Sequence, residues 1–413
     1  MNLAIDPERL TRGLETLGAI SSEPAPVVTR VVFTEADLRG REFVKQLCRE
    51  AGLVVREDAV GNTFARWAGL EPDMPAVGTG SHIDAIPNAG RYDGTVGVLG
   101  GLEAIRALAR AGIRPRRSIE LLIFTSEEPT RFGIGCMGSR LLSGLLDASA
   151  GTRLKDREGI SLDDARAKAG FTGPLSTVRL PVGYYSAFAE LHIEQGPLLE
   201  KRQIGLGVVT AIAAPASLRI WIEGEGGHAG AVLMPDRRDA FLAAAEIALA
   251  VEAGARSTGA IDTVATVGVC DVFPGAVNSV PSHVRMEIDV RDIDEARRDS
   301  VLDKIAEATE QVAARRRITV RTETVNADPP AQCAPAVVSA LAQACDMHSL
   351  RFDLMISRAY HDSLFMSRIA PTAMLFIPCR GGVSHRPDEY AAPEAIAQGA
   401  LVLAEALARL AAA

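Results

Sequence analysis

This 413-residue chain has no C-x-x-C pair; its six cysteines, Cys48, Cys136, Cys270, Cys333, Cys345 and Cys379, stand singly. Thiols so few and unpatterned are expected to be reduced and mostly buried, in a reducing compartment. The chain also lacks a cationic excess. Its 44 Lys and Arg face 52 Asp and Glu, for a net charge of −8. That excludes the basic face that nucleic acid or an anionic membrane surface requires. One local arginine could still hold a small anion. Residues 1–7 show neither a basic n-region nor an apolar h-region, so no signal peptide is expected. No apolar run of membrane-spanning length stands out, because Glu and Arg recur through the Ala-rich segments. A cytoplasmic protein is the expectation. Internal repeats and low-complexity tracts are missing too.

At 47% hydrophobic and 23% charged residues, the chain can bury large cores. Its length exceeds one ordinary domain, so two are expected. The stretch 81–94, from Ser81 to Gly94, is the most informative. An apolar run over 75–80 leads into it and reads as a buried strand. Val98, Leu99, Leu102, Ile105 and Leu108 follow at helical spacing. Such strand-to-helix loops are where α/β proteins place their chemistry. Its His82, Asp84 and Asp93 suit a hard-to-borderline cation. Taken alone, they could equally be solvated loop acids.

Three further apolar strands run into polar ends. The strand over 119–124 leads to Glu127-Glu128, the one over 187–193 carries His192, and 373–378 precedes Ser384-His385. Adjacent carboxylates after an apolar strand need a cationic partner or a helix first turn. Carboxyl ends of an open α/β sheet share one edge, so these four places predict one site. Helices over 7–20 and 35–52 and strands over 54–56 and 62–67 complete a mixed sheet flanked by helices. From about 208 to 327 the order becomes β-α-β-β-α-β, the ferredoxin-like split unit. The prediction is an α/β catalytic domain of 1–207 and 328–413 with a ferredoxin-like domain of 208–327 inserted. Pro329-Pro330 marks the second junction.

Five of the seven histidines, His82, His192, His228, His361 and His385, fall in such motifs; His283 and His348 do not. The donor set fits two metal ions bridged by one carboxylate, best Asp93. His82 and His192 would complete one ion, and Glu128 and His385 the other. Zinc, manganese and cobalt all suit these donors. Two such ions would acidify a shared water and polarise a carbonyl, leaving a proton to be carried to a departing nitrogen. Glu127, beside ligand Glu128, suits that base. Asp84 would hydrogen-bond the second ring nitrogen of His82, or only shape the turn.

His82-x-Asp84, Asp93-Gly94, Glu127-Glu128, His192 with Glu194-Gln195-Gly196-Pro197, His228-Ala229-Gly230 and Ser384-His385, in this order, resemble the M20-type metallopeptidase superfamily. More narrowly they resemble its amidase/hydantoinase/carbamoylase branch, over nearly the whole chain. The resemblance implies a zinc-peptidase-like catalytic domain and a ferredoxin-like lid that also dimerises. It implies that His228, at the start of a lid helix, reaches the partner subunit's active site and stabilises an oxyanion. Gln195 would hold the ureido or carboxylate end of the substrate. Asn278 and Arg291 would bind its carboxylate, the guanidinium through two parallel hydrogen bonds. An ordinary helix-start His, and a strand-surface Arg paired with Asp289 or Asp292, are the alternatives for 228 and 291.

Three variants narrow the branch. Pro129-Thr130-Arg131-Phe132 follows Glu127-Glu128, Ala231-Val232-Leu233-Met234-Pro235 follows Gly230, and Arg358-Ala359-Tyr360 precedes His361-Asp362. All three resemble the ureidoglycolate amidohydrolase subgroup. Tyr360, where glycine is usual, would shrink the pocket toward a small polar substrate, with His361 as a neighbouring contact. The implied reaction is hydrolysis of the ureido C–N bond of ureidoglycolate to glyoxylate, ammonia and carbon dioxide. Manganese is the implied metal and zinc the alternative. An N-carbamoyl-L-amino acid or allantoate is the rival substrate. The implied partners are a small anionic ureide and a second copy of the chain.

Overall fold

Residues 3–412 are described by the structure, a computed structural model. They separate into two units: residues up to Ala211 together with those from Gln332 onward, and Ile212–Ala331. In the first, Ala76–His82 and Ile119–Phe124 are buried at every position. A strand reads this way when both faces of its sheet are covered. The two pair in parallel, with His82 opposite Phe124. Tyr185–Ile193 lies parallel on the other side of Ala76–His82, and Thr372–Ile377 lies parallel to Tyr185–Ile193, with Phe376 opposite His192. Antiparallel Leu206–Ile212 and Thr63–Trp67 flank these four in a nine-stranded mixed sheet. Four adjacent parallel strands thus bring their carboxyl ends to one edge. Helices Thr95–Arg110 and Pro393–Ala412 pack against each other and on the sheet. Phe64, Leu122, Phe124, Phe188 and Met366 belong to a separate apolar cluster.

Pro393–Ala412 corrects one expectation. It is long and apolar enough to cross a membrane by length and composition. Yet 61% of its most apolar window is buried within the protein, and Glu405 in its middle is fully enclosed. It is a core helix whose neighbours are other helices and the sheet.

Helix Glu35–Glu50 starts at Thr34, whose side chain accepts from the Asp37 N–H. Inside it, Arg41 is fully buried. Its Nε donates to Asp37 Oδ2 at 2.9 Å and its Nη1 to the Gly61 carbonyl at 2.7 Å and Thr125 Oγ1 at 3.2 Å. This anchors the helix two residues before Glu127. Asp37→Ala would leave a buried guanidinium without its counter-charge. We expect a loss of about 3–5 kcal/mol in unfolding free energy, measured by urea denaturation. A loss below about 1 kcal/mol would show that water or relaxation replaces the pair.

The second unit is a four-stranded antiparallel sheet in the order Val264–Phe273, His283–Asp292, Ala214–Glu223, Thr319–Ala327. Helices Ala240–Arg256 and Glu295–Arg316 pack against it. His283–Asp292 alternates buried and part-exposed residues, so Val284, Met286, Ile288 and Val290 meet Ile247, Val301 and Ile305 in one core. The chain order and strand order are those of the split β-α-β unit.

Candidate metal centre

The sheet edge gathers the donors that the sequence scattered over three hundred residues. Ligand atoms of His82, Asp93 and His192 lie within 4.8 Å of one another, and so do those of Asp93, Glu128 and His385. Asp93 belongs to both sets. Its Oδ1 is 3.6 Å from His82 Nε2 and 3.2 Å from His192 Nε2. Its Oδ2 is 3.3 Å from His385 Nε2, which is also 3.3 Å from Glu128 Oε1. The loop reaches this position because Gly94 sits at φ 64° directly over His82. A Cβ there would lie 2.5 Å from the imidazole, so only glycine fits.

Ring orientation matches cation binding. His192 Nδ1 donates to the Ile193 carbonyl at 2.9 Å and His82 Nδ1 to the Asp84 carbonyl at 3.0 Å. Each bond turns Nε2 toward Asp93, and the Gly94 N–H also reaches His192 Nε2 at 3.2 Å. The His82 bond corrects the sequence reading of Asp84. The carboxylate of Asp84 stands 3.7 Å from the ring nitrogen. It accepts instead from the Glu127 and Glu128 backbone N–H groups at 3.2 and 3.0 Å. Two adjacent amides claim its oxygens, so the Asp84 carboxylate meets the acidic pair's backbone and acts on His82 by charge, while its carbonyl takes the ring's hydrogen bond.

The electrostatics point the same way. Burial alone would push the His82 imidazole down, but the charges of Glu127, Asp93 and Asp84 outweigh it and hold it well above its usual value. Hydrogen bonds to Asp93 and Glu128 raise His385 to about 11. Burial opposes ionisation of Asp93, yet contacts with three imidazoles hold its carboxyl well below the usual range. A pocket this negative draws protons to its histidines and suits a divalent cation better. Glu127 differs from its neighbour. Burial, with the Glu128 charge, raises its carboxyl well above the ordinary value. Its Oε1 accepts from the Cys136 thiol at 3.3 Å, while Oε2 stands 3.8 Å from His82 Nε2.

The expected substrate contacts are placed variously. Gln195 Nε2 donates to Asp93 Oδ2 at 2.7 Å, and its buried Oε1 has no partner among the described residues. Tyr360 accepts from Arg140 Nη2 at 3.0 Å through its hydroxyl, with Arg140 also lying 4.3 Å over the Phe365 ring. His361 is 2% exposed and meets the His192 ring edge-on at 4.5 Å. It packs behind the donor His192. His228, Asn278 and Arg291 belong to the second unit. His228 is exposed and does not start a helix: Gly227–His228 is a short strand paired with Ser279–Val280, and the helix begins at Ala240. Asp239 caps that helix, which fixes its start twelve residues later. The pairing sets Asn278 beside it, with the Ala229 N–H donating to the Asn278 carbonyl at 2.9 Å. Arg291 Nε donates to Asp289 Oδ1 at 2.7 Å.

Two carboxylates escaped the sequence reading. Glu190 accepts from Ser81 Oγ at 2.7 Å and Ser363 Oγ at 2.6 Å, joining segments next to His82 and His361. Glu389 receives the backbone of the Asp93 loop. Ser384-His385 was noted, but nothing in spacing or periodicity marks the acid four residues beyond.

Residues 78–409 match the sequence profile of peptidase family M20/M25/M40. The chain is 53% identical to a ureidoglycolate hydrolase of Arabidopsis thaliana over 99% of its own length and 87% of that protein. It is 39% identical to an N-carbamoyl-L-amino acid amidohydrolase of Geobacillus stearothermophilus over 97% of both. Its structure superposes on the crystal structure of AtUAH in complex with glyoxylate with a TM-score of 0.88, at 52% identity, covering 99% of this chain and 98% of that one.

Proposed function

Because this chain belongs to peptidase family M20/M25/M40, we propose that it is a two-metal amidohydrolase that cleaves the ureido C–N bond of ureidoglycolate. One observation carries the reading. Two donor clusters share Asp93, with Glu127 beside them, in a chain 53% identical to a ureidoglycolate hydrolase over almost its full length. His82, His192 and Asp93 would hold one cation, and Asp93, Glu128 and His385 the other. Manganese is our first choice and zinc the second. When bound, divalent cations supply Lewis acidity to the ureido carbonyl and the attacking water.

The chain's own groups do the rest. Glu127 takes a proton from the attacking water and passes it to the departing nitrogen. Its raised proton affinity suits both halves of that transfer. Water adds to the ureido carbon, the C–N bond breaks and ammonia leaves. Carbon dioxide departs from the remaining carbamate, and the hydroxyglycine left behind releases a second ammonia to give glyoxylate. Asp84 positions the acidic pair through its two backbone bonds. Gln195, Asn278 and Arg291 would hold the substrate's polar ends, with Arg291 exchanging Asp289 for the substrate carboxylate. His228 would serve the partner subunit's site in a homodimer, with the second unit acting as lid and dimerisation domain. Six free cysteines, five of them buried, support a reducing location, the cytoplasm.

Metal-stripped protein refilled with manganese or zinc is expected to release ammonia from ureidoglycolate, and far less from allantoate or N-carbamoyl-L-alanine. Tyr360→Gly should move activity toward the bulkier ureides by opening space beside Arg140. Equal preference in parent and variant would remove Tyr360 from specificity. Turnover of a carbamoyl amino acid alone would move the chain to the rival substrate class.

A further inference from the structure

Outside the two donor clusters, the buried acid Glu389 holds the loop that carries Asp93. It is 5% exposed. Its Oε1 accepts from the Tyr92 N–H at 2.7 Å and the Asp93 N–H at 3.1 Å, across almost three hundred residues of chain. Its Oε2 lies 3.0 Å from Ser384 Oγ, and the same hydroxyl lies 2.5 Å from Asp93 Oδ2. One carboxylate thus grips the backbone of the shared acid and, through Ser384, its side chain. Ser384 adjoins His385, so the loop that brings one imidazole and the loop that brings Asp93 are joined at a single side chain. The backbone has made room for this. A Cβ on Gly90 would lie 2.3 Å from Glu389 Cβ and 2.6 Å from its Oε1.

We infer that Glu389 is a positioning residue that sets the Asp93 carboxylate between the two donor clusters, so that both cation sites depend on it. It touches neither cation nor substrate. Its action is to fix the rotamer and backbone of an acid that must face two directions at once. A bridging carboxylate tolerates little rotation, because turning it toward one cluster withdraws it from the other. The inference rests on the two-cation reading above.

The test is cobalt(II) titration of metal-stripped protein, followed by visible absorption and by competition with a chelator. Glu389→Gln keeps volume and one acceptor, and Gly90→Ala displaces the carboxylate without changing it. Both are expected to weaken cobalt binding by roughly tenfold to a hundredfold and to alter the cobalt spectrum, with Glu389→Gln the milder. Glu103→Gln removes a buried acid held by Arg9 and Arg110; it should lower stability and leave cobalt affinity unchanged. If Glu389→Gln and Gly90→Ala bind cobalt within about twofold of the parent, Glu389 is structural only and the inference is overturned. Weakening by Glu103→Gln of the same size would also overturn it, since any loss of stability would then suffice. A parent chain that binds no cobalt overturns both this inference and the two-cation reading.

Discussion

Glu127→Gln is expected to lower kcat by about 10² to 10⁴ while metal content stays at the parent level. The amide is close in size to the carboxyl, and no donor of either cluster is changed. What disappears is the ability to take a proton and return it. The neighbouring position should behave differently. Glu128→Gln removes a donor of the Asp93–Glu128–His385 set, so activity and part of the metal should be lost together. Metal analysis alongside kcat therefore separates a base from a ligand in two adjacent acids. If Glu127→Gln lost metal as well, Glu127 would be a donor and the proton carrier would have to be sought elsewhere.

Chelation is expected to lower Tm by on the order of 5–10 °C. A ligand at a thousand times its Kd stabilises the folded state by about 4 kcal/mol, and larger domains shift only a few degrees per kcal/mol. The pH trend is the sharper part of the prediction. In the ion-free fold His82, His192 and His385 hold protons more tightly than in the unfolded chain, where imidazoles titrate near 6.5. That stabilisation is complete below about pH 6.5 and is lost as pH rises through the folded values. Burial raises Asp84 to about 6 and holds Glu127 well above its ordinary value. Ionising them in the fold is harder than in the unfolded chain, which adds to the same loss. Ion-free protein should therefore melt lower at pH 9 than at pH 6. Ion-loaded protein should not follow, because cations replace the protons. Parallel melting curves for the two forms would mean that this cluster does not govern stability.

The sequence revealed those features that depend on local pattern. Apolar runs marked the strands, and polar residues just beyond them marked the sheet edge, which is why His82, Glu128, His192 and His385 were found together with Asp93. Partners set by loop geometry were not legible. Nothing in His82-Ile83-Asp84 tells whether the ring meets the carboxylate or the carbonyl two residues on; that depends on the amides of Glu127 and Glu128 arriving from another strand. Glu389 and Glu190 were missed for the same reason, since their contacts span 297, 109 and 173 residues. His228 was misplaced on a helix because its pairing with Ser279 is a two-residue ladder, too short to show a period.

Thr372–Ile377 lies between Tyr185–Ile193 and Leu206–Ile212 in the sheet, yet it is made last of the three. A nascent chain on the ribosome has translated the whole Ile212–Ala331 unit before the strand that separates its earlier neighbours exists. Until then Tyr185–Ile193 has an open edge beside His192, and the carboxylates of Asp93 and Glu128 await an imidazole still in synthesis. The order of translation therefore makes this edge of the sheet one of the last parts to close, with the edge of Tyr185–Ile193 unpaired on that side until Thr372–Ile377 has been made.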